Sequence, residues 1–239
     1  MASDTYDTEY NESIWEAEFS GNRSIDGKYT AGRIGNVIGN VQQCATSPGN
    51  GYGYGFYGCS LILWDLFEET VLRRDLSIAP YKYNSSDEKV DWTVNQIVQR
   101  CCGKFRRELE TSSNYDKHYT PENYQILRYA DVLLMLAEAE NEANSSPTEL
   151  AYECVNEIRN RAGIDELEGL SYSEFQQVIR DERARELCFE SLRKYDLVRW
   201  GIYVESVHDK LGDAIKDSRW ATGTQYQGAA TYTSNTSEK

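Results

Sequence analysis

Apolar residues recur every three or four positions through the second half of the chain, and this spacing predicts a group of packed helices. The first helix is predicted over residues 126–143, a stretch without Gly or Pro in which Leu, Ala, Met and Glu dominate. Its apolar positions extend well beyond one stripe, so we expect this helix to be buried on more than one side.

A second helix is predicted to start at a capping box, with Ser146 as the N-cap, Pro147 at the first helical position and Glu149 at N3. Gly163 is the expected C′ residue, because glycine adopts the left-handed conformation without steric cost. Together the two helices make a helical hairpin that resembles one tetratricopeptide unit.

A third helix opens with another capping box, Ser171 with Glu174, and is predicted to continue at least to Leu192. Three glutamates share one of its faces at i,i+4 spacing, where like charges destabilise an isolated helix. They are Glu182, Glu186 and Glu190. We therefore expect cations of neighbouring helices to reach them, drawn from Arg128, Arg159, Arg161 and Arg199.

The first half of the chain has a different character. Short strand-like runs alternate there with Gly- and Asn-rich segments, and residues 47–58, SPGNGYGYGFYG, are predicted to form a loop. Residues 60–73 are predicted to form a short helix. We expect three regions: a loop-rich region with short strands and helices at 1–115, which is the candidate ligand platform; a helical core at 116–215; and a disordered tail at 216–239.

Charge and composition narrow the functional classes. The 239 residues carry a formal net charge of −14, which disfavours a nucleic-acid partner. No apolar run is long enough to span a bilayer, so membrane attachment is expected only through a lipid anchor that this chain lacks. The six cysteines include no CxxC pair and there are only two histidines, so we expect neither a metal site nor a cofactor.

Cysteine roles remain open in part. Cys154 and Cys188 lie on apolar helical faces and are expected to be small core residues. A Cys44–Cys59 disulfide is one of the 15 pairings that six cysteines allow, and it would staple the Gly-rich loop.

Aromatic residues are the main chemical resource, with 18 Tyr and 5 Trp. Flat rings stack on the apolar faces of sugars, while polar side chains bond the hydroxyl groups. The candidate ligand-binding residues are Tyr52, Tyr54 and Tyr57, with Asn50 as a polar contact. The alternative is that these rings pack against the core, which is the role we expect for Trp15, Trp64, Trp92 and Trp200.

Catalytic motifs are missing from the sequence. It contains no GxSxG, no P-loop and no dinucleotide-binding fingerprint. The glutamates of the third helix lie along one helix face, whereas the carboxylates of a glycosidase face each other across a cleft. We expect no catalytic residue and no enzymatic activity.

Several segments, in order along the chain, resemble the SusD/RagB-type glycan-binding lipoproteins of the outer membrane. The strongest are LRYADVLLMLAEAENEA at 127–143, VNEIRNRAGI at 155–164 and RDERARELCFESLRKYDLVRWG at 180–201. SIWEAEF at 13–19 and GYGFYGCSLILWDLFEETVLRRDLSI at 53–78 are also similar to family segments. Ser191 stands where the family usually has Gly.

The resemblance implies a mainly α fold, a SusD-like α/α superhelical core of tetratricopeptide-like helices with long irregular loops and a few short strands. It implies non-catalytic oligosaccharide binding at the extracellular face of the outer membrane and delivery to a TonB-dependent transporter of the SusC type. The family's signal peptide and N-terminal helices have no counterpart here, so the chain is expected to be a soluble internal fragment.

Other functions remain open at this stage. The helices can serve as a protein-binding scaffold without a sugar site, and the ligand can be a peptide, since the family includes members tied to peptide uptake. A hydrolase is the third alternative.

Overall fold

The computed structural model describes residues 12–19, 32–43, 51–67, 71–110 and 116–221. The strands of this part of the chain are β1 (Ser13–Ala17), β2 (Tyr81–Tyr83), β3 (Lys89–Asp91) and β4 (Tyr124–Arg128). The α-helices are α1 (Ile34–Val37), α2 (Leu61–Leu66), α3 (Val71–Ser77), α4 (Tyr129–Asn144), α5 (Glu149–Arg161), α6 (Tyr172–Glu186), α7 (Arg193–Arg199), α8 (Leu211–Lys216) and α9 (Ser218–Ala221). A 3-10 turn covers Arg107–Leu109 and a π-helical stretch covers Glu205–Lys210.

The helical core forms where α4 packs against both α5 and α6. Its central side chains are Leu134, Ala137, Val155, Phe175 and Ile179, all almost fully buried. α4 buries one face only, because Met135, Leu136 and Ala139, which extend its apolar surface, are exposed. The predicted burial on more than one side is therefore wrong. The mainly helical fold class is confirmed. Cys154 and Cys188 are buried, which confirms their expected role as core residues.

The start of α4 differs from the prediction. The segment Tyr124–Arg128 is a strand, β4, that pairs antiparallel with β1, so that Ser13 lies opposite Arg128 and Ala17 lies opposite Tyr124. The helix therefore begins only at Tyr129. A strand partner more than a hundred residues away outweighs local helix propensity, which is a weak preference that tertiary context overrides.

The N-terminus of α5 also differs. Its N-cap is Thr148, whose hydroxyl accepts a hydrogen bond of 3.2 Å from the Ala151 amide. The predicted Ser146–Glu149 capping box is wrong, because Pro147 lies before the cap and not inside the helix. At the other end Gly163 has φ of 69°, which confirms it as the left-handed residue after the helix.

The capping box of α6 is confirmed, since Ser171 and Glu174 each bond the other's backbone. The predicted end at Leu192 is wrong: α6 ends at Glu186, and the chain turns through Phe189 and Ser191, both with φ of 65°. Left-handed backbone at these two positions cannot continue a right-handed helix.

The glutamates of this segment are paired with cations, as predicted, and they are also buried. Glu186 lies 2.8 Å from Arg128 and 2.5 Å from Arg161, and Glu190 lies 2.8 Å from Arg128. Glu182 lies 3.7 Å from Arg159. We call this group the ion cluster. Its members are Glu182, Glu186, Glu190, Arg128, Arg159 and Arg161, together with Arg73 and Lys104, which are described next.

Two cations of the ion cluster come from the first half of the chain and were not predicted. Arg73 of α3 lies 2.6 Å from Glu182, and Lys104 lies 2.5 Å from Glu190. Arg199, which was expected here, pairs with Glu138 at 2.5 Å. The ion cluster therefore fastens the loop-rich half to the helical core.

The first half holds short elements joined by isolated bridges. The predicted helix at 60–73 is two helices, α2 and α3, with residues 68–70 outside the described ranges. Cys59 is a buried free thiol, so the Cys44–Cys59 disulfide is not formed, and Cys44 lies outside the described ranges. Trp15 was expected in the core but is 63% exposed.

The predicted division into residues 1–115, 116–215 and 216–239 stays a prediction. The helix α9 lies within the predicted tail, and residues 222–239 lie outside the described part of the chain.

Candidate functional site

Three aromatic rings lie side by side on the segment at residues 51–56. Tyr52, Tyr54 and Phe56 alternate with glycines at 51, 53 and 55. The Tyr52 and Tyr54 rings are 5.0 Å apart between centroids at an angle of 70°, and the Tyr54 and Phe56 rings are 4.9 Å apart and nearly parallel, at 5°. We call these three side chains the aromatic row.

The glycines explain why the rings face outward. Gly53 exchanges two backbone hydrogen bonds with Gln42, of 2.9 and 3.0 Å, and a Cβ at Gly53 would collide with the Asn40 carbonyl oxygen. Gly55 has φ of 61° and lies against Val41. The inner side of the segment has no room for side chains, so its large residues occupy the outer side.

Buried polar groups hold the segment from beneath. The Asn36 side-chain amide is fully buried and donates to the carbonyl oxygens of Tyr52, at 2.7 Å, and Lys117, at 3.0 Å. The Arg107 guanidinium, also fully buried, donates to the Tyr52 carbonyl at 3.1 Å and pairs with Glu110 at 2.7 Å. Breaking such buried bonds is costly, so the backbone of the aromatic row is firmly positioned.

The bonds from Asn36 bring a second segment beside the aromatic row. The Lys117 ammonium lies 5.3 Å from the centroid of the Tyr52 ring. Asp116, Lys117 and His118 are exposed, and the Asp116 carboxylate accepts hydrogen bonds from the backbone amides of His118 and Tyr119, at 2.7 and 3.0 Å. We call residues 116–118 the polar edge. It offers hydrogen-bonding groups next to apolar rings.

The predicted site residues are placed as follows. Tyr52 and Tyr54 lie together in the aromatic row and are half-buried, while Tyr57 is 50% exposed and follows the row directly. Asn50 lies outside the described residues. The assignment of these residues to a ligand site stays a prediction.

Sequence reasoning missed Phe56 and the polar edge. Phe56 is 65% exposed and was not among the predicted ligand-binding residues. Its place in the Gly–aromatic alternation was the available signal, since i and i+2 residues of an extended segment share a side. The polar edge is some sixty residues away along the chain, and no local pattern links it to the aromatic row.

Trp64 packs against the protein core and is not a candidate for ligand contact. Its ring is half-buried against two core clusters, and the guanidinium groups of Arg74 and Arg100 lie 4.5 and 4.7 Å from its centroid. With cations near the ring, little of it is available to a ligand.

A cavity of about 470 Å³ lies beside the ion cluster, between α3, residues 103–109 and β4. Leu72, Leu76 and Leu109 line it with apolar surface. Glu122 also lines it, with a carboxylate oxygen that is buried and has no hydrogen-bond partner. Burial, with repulsion from Glu110, raises the pKa of Glu122 to about 8, so this carboxyl group is protonated at neutral pH.

Most of the other charged groups of that cavity form ion pairs. Burial opposes ionisation of Glu186, yet the guanidinium groups of Arg128, Arg73 and Arg161 lower its pKa to about 2. Arg128 is held by three carboxylates, those of Glu12, Glu186 and Glu190. These charges stabilise the fold, and the exposed aromatic row is the better candidate for ligand contact.

Within the described ranges, no group of three or more His, Cys, Asp or Glu side chains is arranged to hold a metal ion. Among the helices described here, none combines the length and the apolar character needed to cross a membrane.

Comparison with known proteins places this geometry in context. The sequence model described as the SusD family matches residues 80–239. SusD-like protein P25 of Formosa agariphila is 30% identical over 233 residues, an alignment that covers 84% of this chain and 42% of that protein.

Solved structures agree with the sequence match. The crystal structure of a SusD homolog from Bacteroides thetaiotaomicron superposes with a TM-score of 0.77 at 28% identity, covering 89% of this chain and 45% of the homolog. A laminarin-binding SusD-like protein superposes with a TM-score of 0.62 at 23% identity, covering 87% of this chain and 45% of that one. The chain thus spans less than half the length of these relatives.

Proposed function

Because the chain belongs to the SusD family, we propose that it binds an oligosaccharide at the bacterial cell surface through the aromatic row. The observation that carries this proposal is the row itself: adjacent rings on a firmly held backbone, partly open to solvent, with polar groups at one edge. The laminarin-binding relative supports the choice of a glycan over a peptide as the ligand class.

Binding requires two kinds of contact. The rings of the aromatic row and Tyr57 cover the apolar C–H face of a sugar, which releases water from both surfaces. The hydroxyl of Tyr57 and the polar edge donate and accept hydrogen bonds with the sugar hydroxyl groups. Both contacts are reversible, and no bond of the ligand changes.

The ion cluster supports a non-catalytic role. A general acid needs a pKa near the working pH, and the pKa of Glu186 is about 2. Glu182 is fully buried and held by Arg73 and Arg185, at 2.6 and 2.8 Å. We propose that the chain does not hydrolyse glycans, and release of reducing ends from a bound oligosaccharide would contradict this.

Glycan binding is tested by calorimetric titration of the chain with neutral oligosaccharides. Tyr57→Ala removes an exposed ring beside the aromatic row, and we expect the dissociation constant to rise at least tenfold, about 1.4 kcal/mol. Tyr195→Ala is the matched control, since Tyr195 is 69% exposed on α7. If Tyr57→Ala and Tyr195→Ala both bind with the affinity of the unchanged chain, Tyr57 does not contact the ligand.

We further propose that the parent protein acts at the extracellular face of the outer membrane, held by a lipid anchor, and passes its ligand to a TonB-dependent transporter of the SusC type. Family membership supports this role. Co-purification of the full-length protein with its transporter from detergent-solubilised membranes tests it. If the chain bound the transporter and no glycan, it would be a scaffold without its own sugar site.

A further inference from the structure

The three rings of the aromatic row are not equally open. Tyr54 is the middle ring. The Phe56 ring stacks parallel to one face of Tyr54, with the ring centroids 4.9 Å apart. The Tyr52 ring makes an edge contact with Tyr54, with the centroids 5.0 Å apart. Parallel rings at such a distance overlap with an offset. A sugar therefore cannot lie flat on the covered face of Tyr54.

Phe56 is the end ring of the row. One of its faces lies against Tyr54, yet 65% of the residue is exposed, so its second face is open to solvent. An exposed phenyl ring contributes little to folding, because little apolar surface is buried there. Tyr57, the next residue along the chain, is 50% exposed.

We propose that Phe56 supplies the principal sugar-stacking face and that Tyr54 acts as the ring that backs it. This inference rests on the proposed glycan binding and assigns the contact to a residue outside the predicted tyrosine set. Tyr54 holds the phenyl plane in place, so that less side-chain entropy is lost when a ligand binds.

The chemistry of the phenyl face selects the ligand class. The Phe56 ring offers an apolar face without a hydrogen-bonding group, so it favours sugars with C–H groups on their faces, and pyranoses whose hydroxyl groups are all equatorial present such groups on both faces. The net charge of −14 disfavours polyanionic glycans. The preferred ligand is therefore a neutral glycan of gluco-configured pyranose units.

The test uses the complete 239-residue chain with neutral gluco-oligosaccharides as the probe. For Phe56→Ala we expect unchanged thermal unfolding and circular dichroism and at least a tenfold loss of affinity. For Phe56→Trp we expect affinity within about threefold of the unchanged chain, with a ligand-induced blue shift of tryptophan fluorescence relative to the same titration of the unchanged chain. Tyr195→Ala serves as the surface control.

The outcomes distinguish the role of Phe56 from glycan binding by the chain as a whole. Affinity lost in Phe56→Ala and kept in Phe56→Trp supports Phe56 as the stacking face. If the unchanged chain binds and Phe56→Ala binds equally well, the role of Phe56 is overturned while glycan binding stands. If the unchanged chain binds none of the probes while binding other neutral glycans, the assigned ligand class is overturned. If it binds no glycan at all, the proposed function fails and this inference fails with it.

Discussion

Glu186→Gln tests whether the ion cluster stabilises the fold through charge. Three guanidinium groups, of Arg73, Arg128 and Arg161, lie within 3.3 Å of the Glu186 carboxylate, which is 9% exposed. They lower its pKa from 4.5 to about 2. At 1.36 kcal/mol per pKa unit, that difference corresponds to about 3 kcal/mol of stability.

The sign follows from the lowered pKa. Above pH 4.5 the carboxylate is ionised in both states and the full contribution is present; as the pH falls towards 2, the folded state must also take up the proton and the contribution is lost. Glutamine resembles the protonated carboxyl group. We therefore expect the variant to be less stable by about 3 kcal/mol at pH 7 and nearly equal to the unchanged chain at pH 2.

Urea unfolding, followed by tryptophan fluorescence and circular dichroism at pH 7, 5, 4, 3 and 2, measures this difference. Glu205→Gln is the control, because Glu205 pairs with Lys210 at the surface, with both side chains 55% exposed. We expect it to change the free energy of unfolding by less than about 0.5 kcal/mol. A loss in Glu186→Gln that does not vary with pH, or an equal loss in Glu205→Gln, would refute the reasoning.

Five other substitutions test four separate parts of the structure by the free energy of unfolding. Glu122→Gln should raise the free energy of unfolding at pH 8 by up to about 4 kcal/mol and have no effect below pH 4.5. The pKa of Glu122 is raised to about 8, so ionising this group between pH 4.5 and 8 costs stability in the folded state. Equal effects of the substitution at pH 8 and below pH 4.5 would contradict this prediction. Ser191→Gly should stabilise by about 0.5–1 kcal/mol, since its φ of 65° favours glycine; a loss would contradict it. Thr148→Ala should lower the free energy of unfolding by about 1 kcal/mol, and Ser146→Ala should lower it by less than about 0.5 kcal/mol, because Thr148 is the N-cap of α5. A larger loss in Ser146→Ala than in Thr148→Ala would indicate that Ser146 is the cap. Gly53→Ala should lower the free energy of unfolding by about 1–3 kcal/mol and weaken glycan binding, because the added Cβ would collide with the Asn40 carbonyl oxygen. Unchanged stability would show that the backbone shifts to make room for the Cβ.

Local chemistry was sufficient for much of the helical half. The capping box at Ser171, the left-handed Gly163 and the apolar faces of α4 and α5 were all readable from residues a few positions apart. Such features depend on short-range hydrogen bonds and helical periodicity, which the sequence carries directly. At the start of α4, one of the places where the prediction was wrong, the deciding partner was the distant strand β1.

The candidate site divides in the same way. The alternation of glycine and aromatic residues at 51–56 was visible in the sequence, and it determined that rings would gather on one segment. Only the tertiary structure decided that Phe56 covers one face of Tyr54 and keeps its own second face open, and that Asn36 draws residues 116–118 to the edge of the row.

The ion cluster shows the physical reason for this division. The sequence indicated that glutamates 182, 186 and 190 would need cations. It could not show that Arg73 and Lys104, about eighty or more residues away, would supply part of the charge. Which distant groups meet depends on how whole elements pack, because buried charges must find partners wherever the fold brings them together.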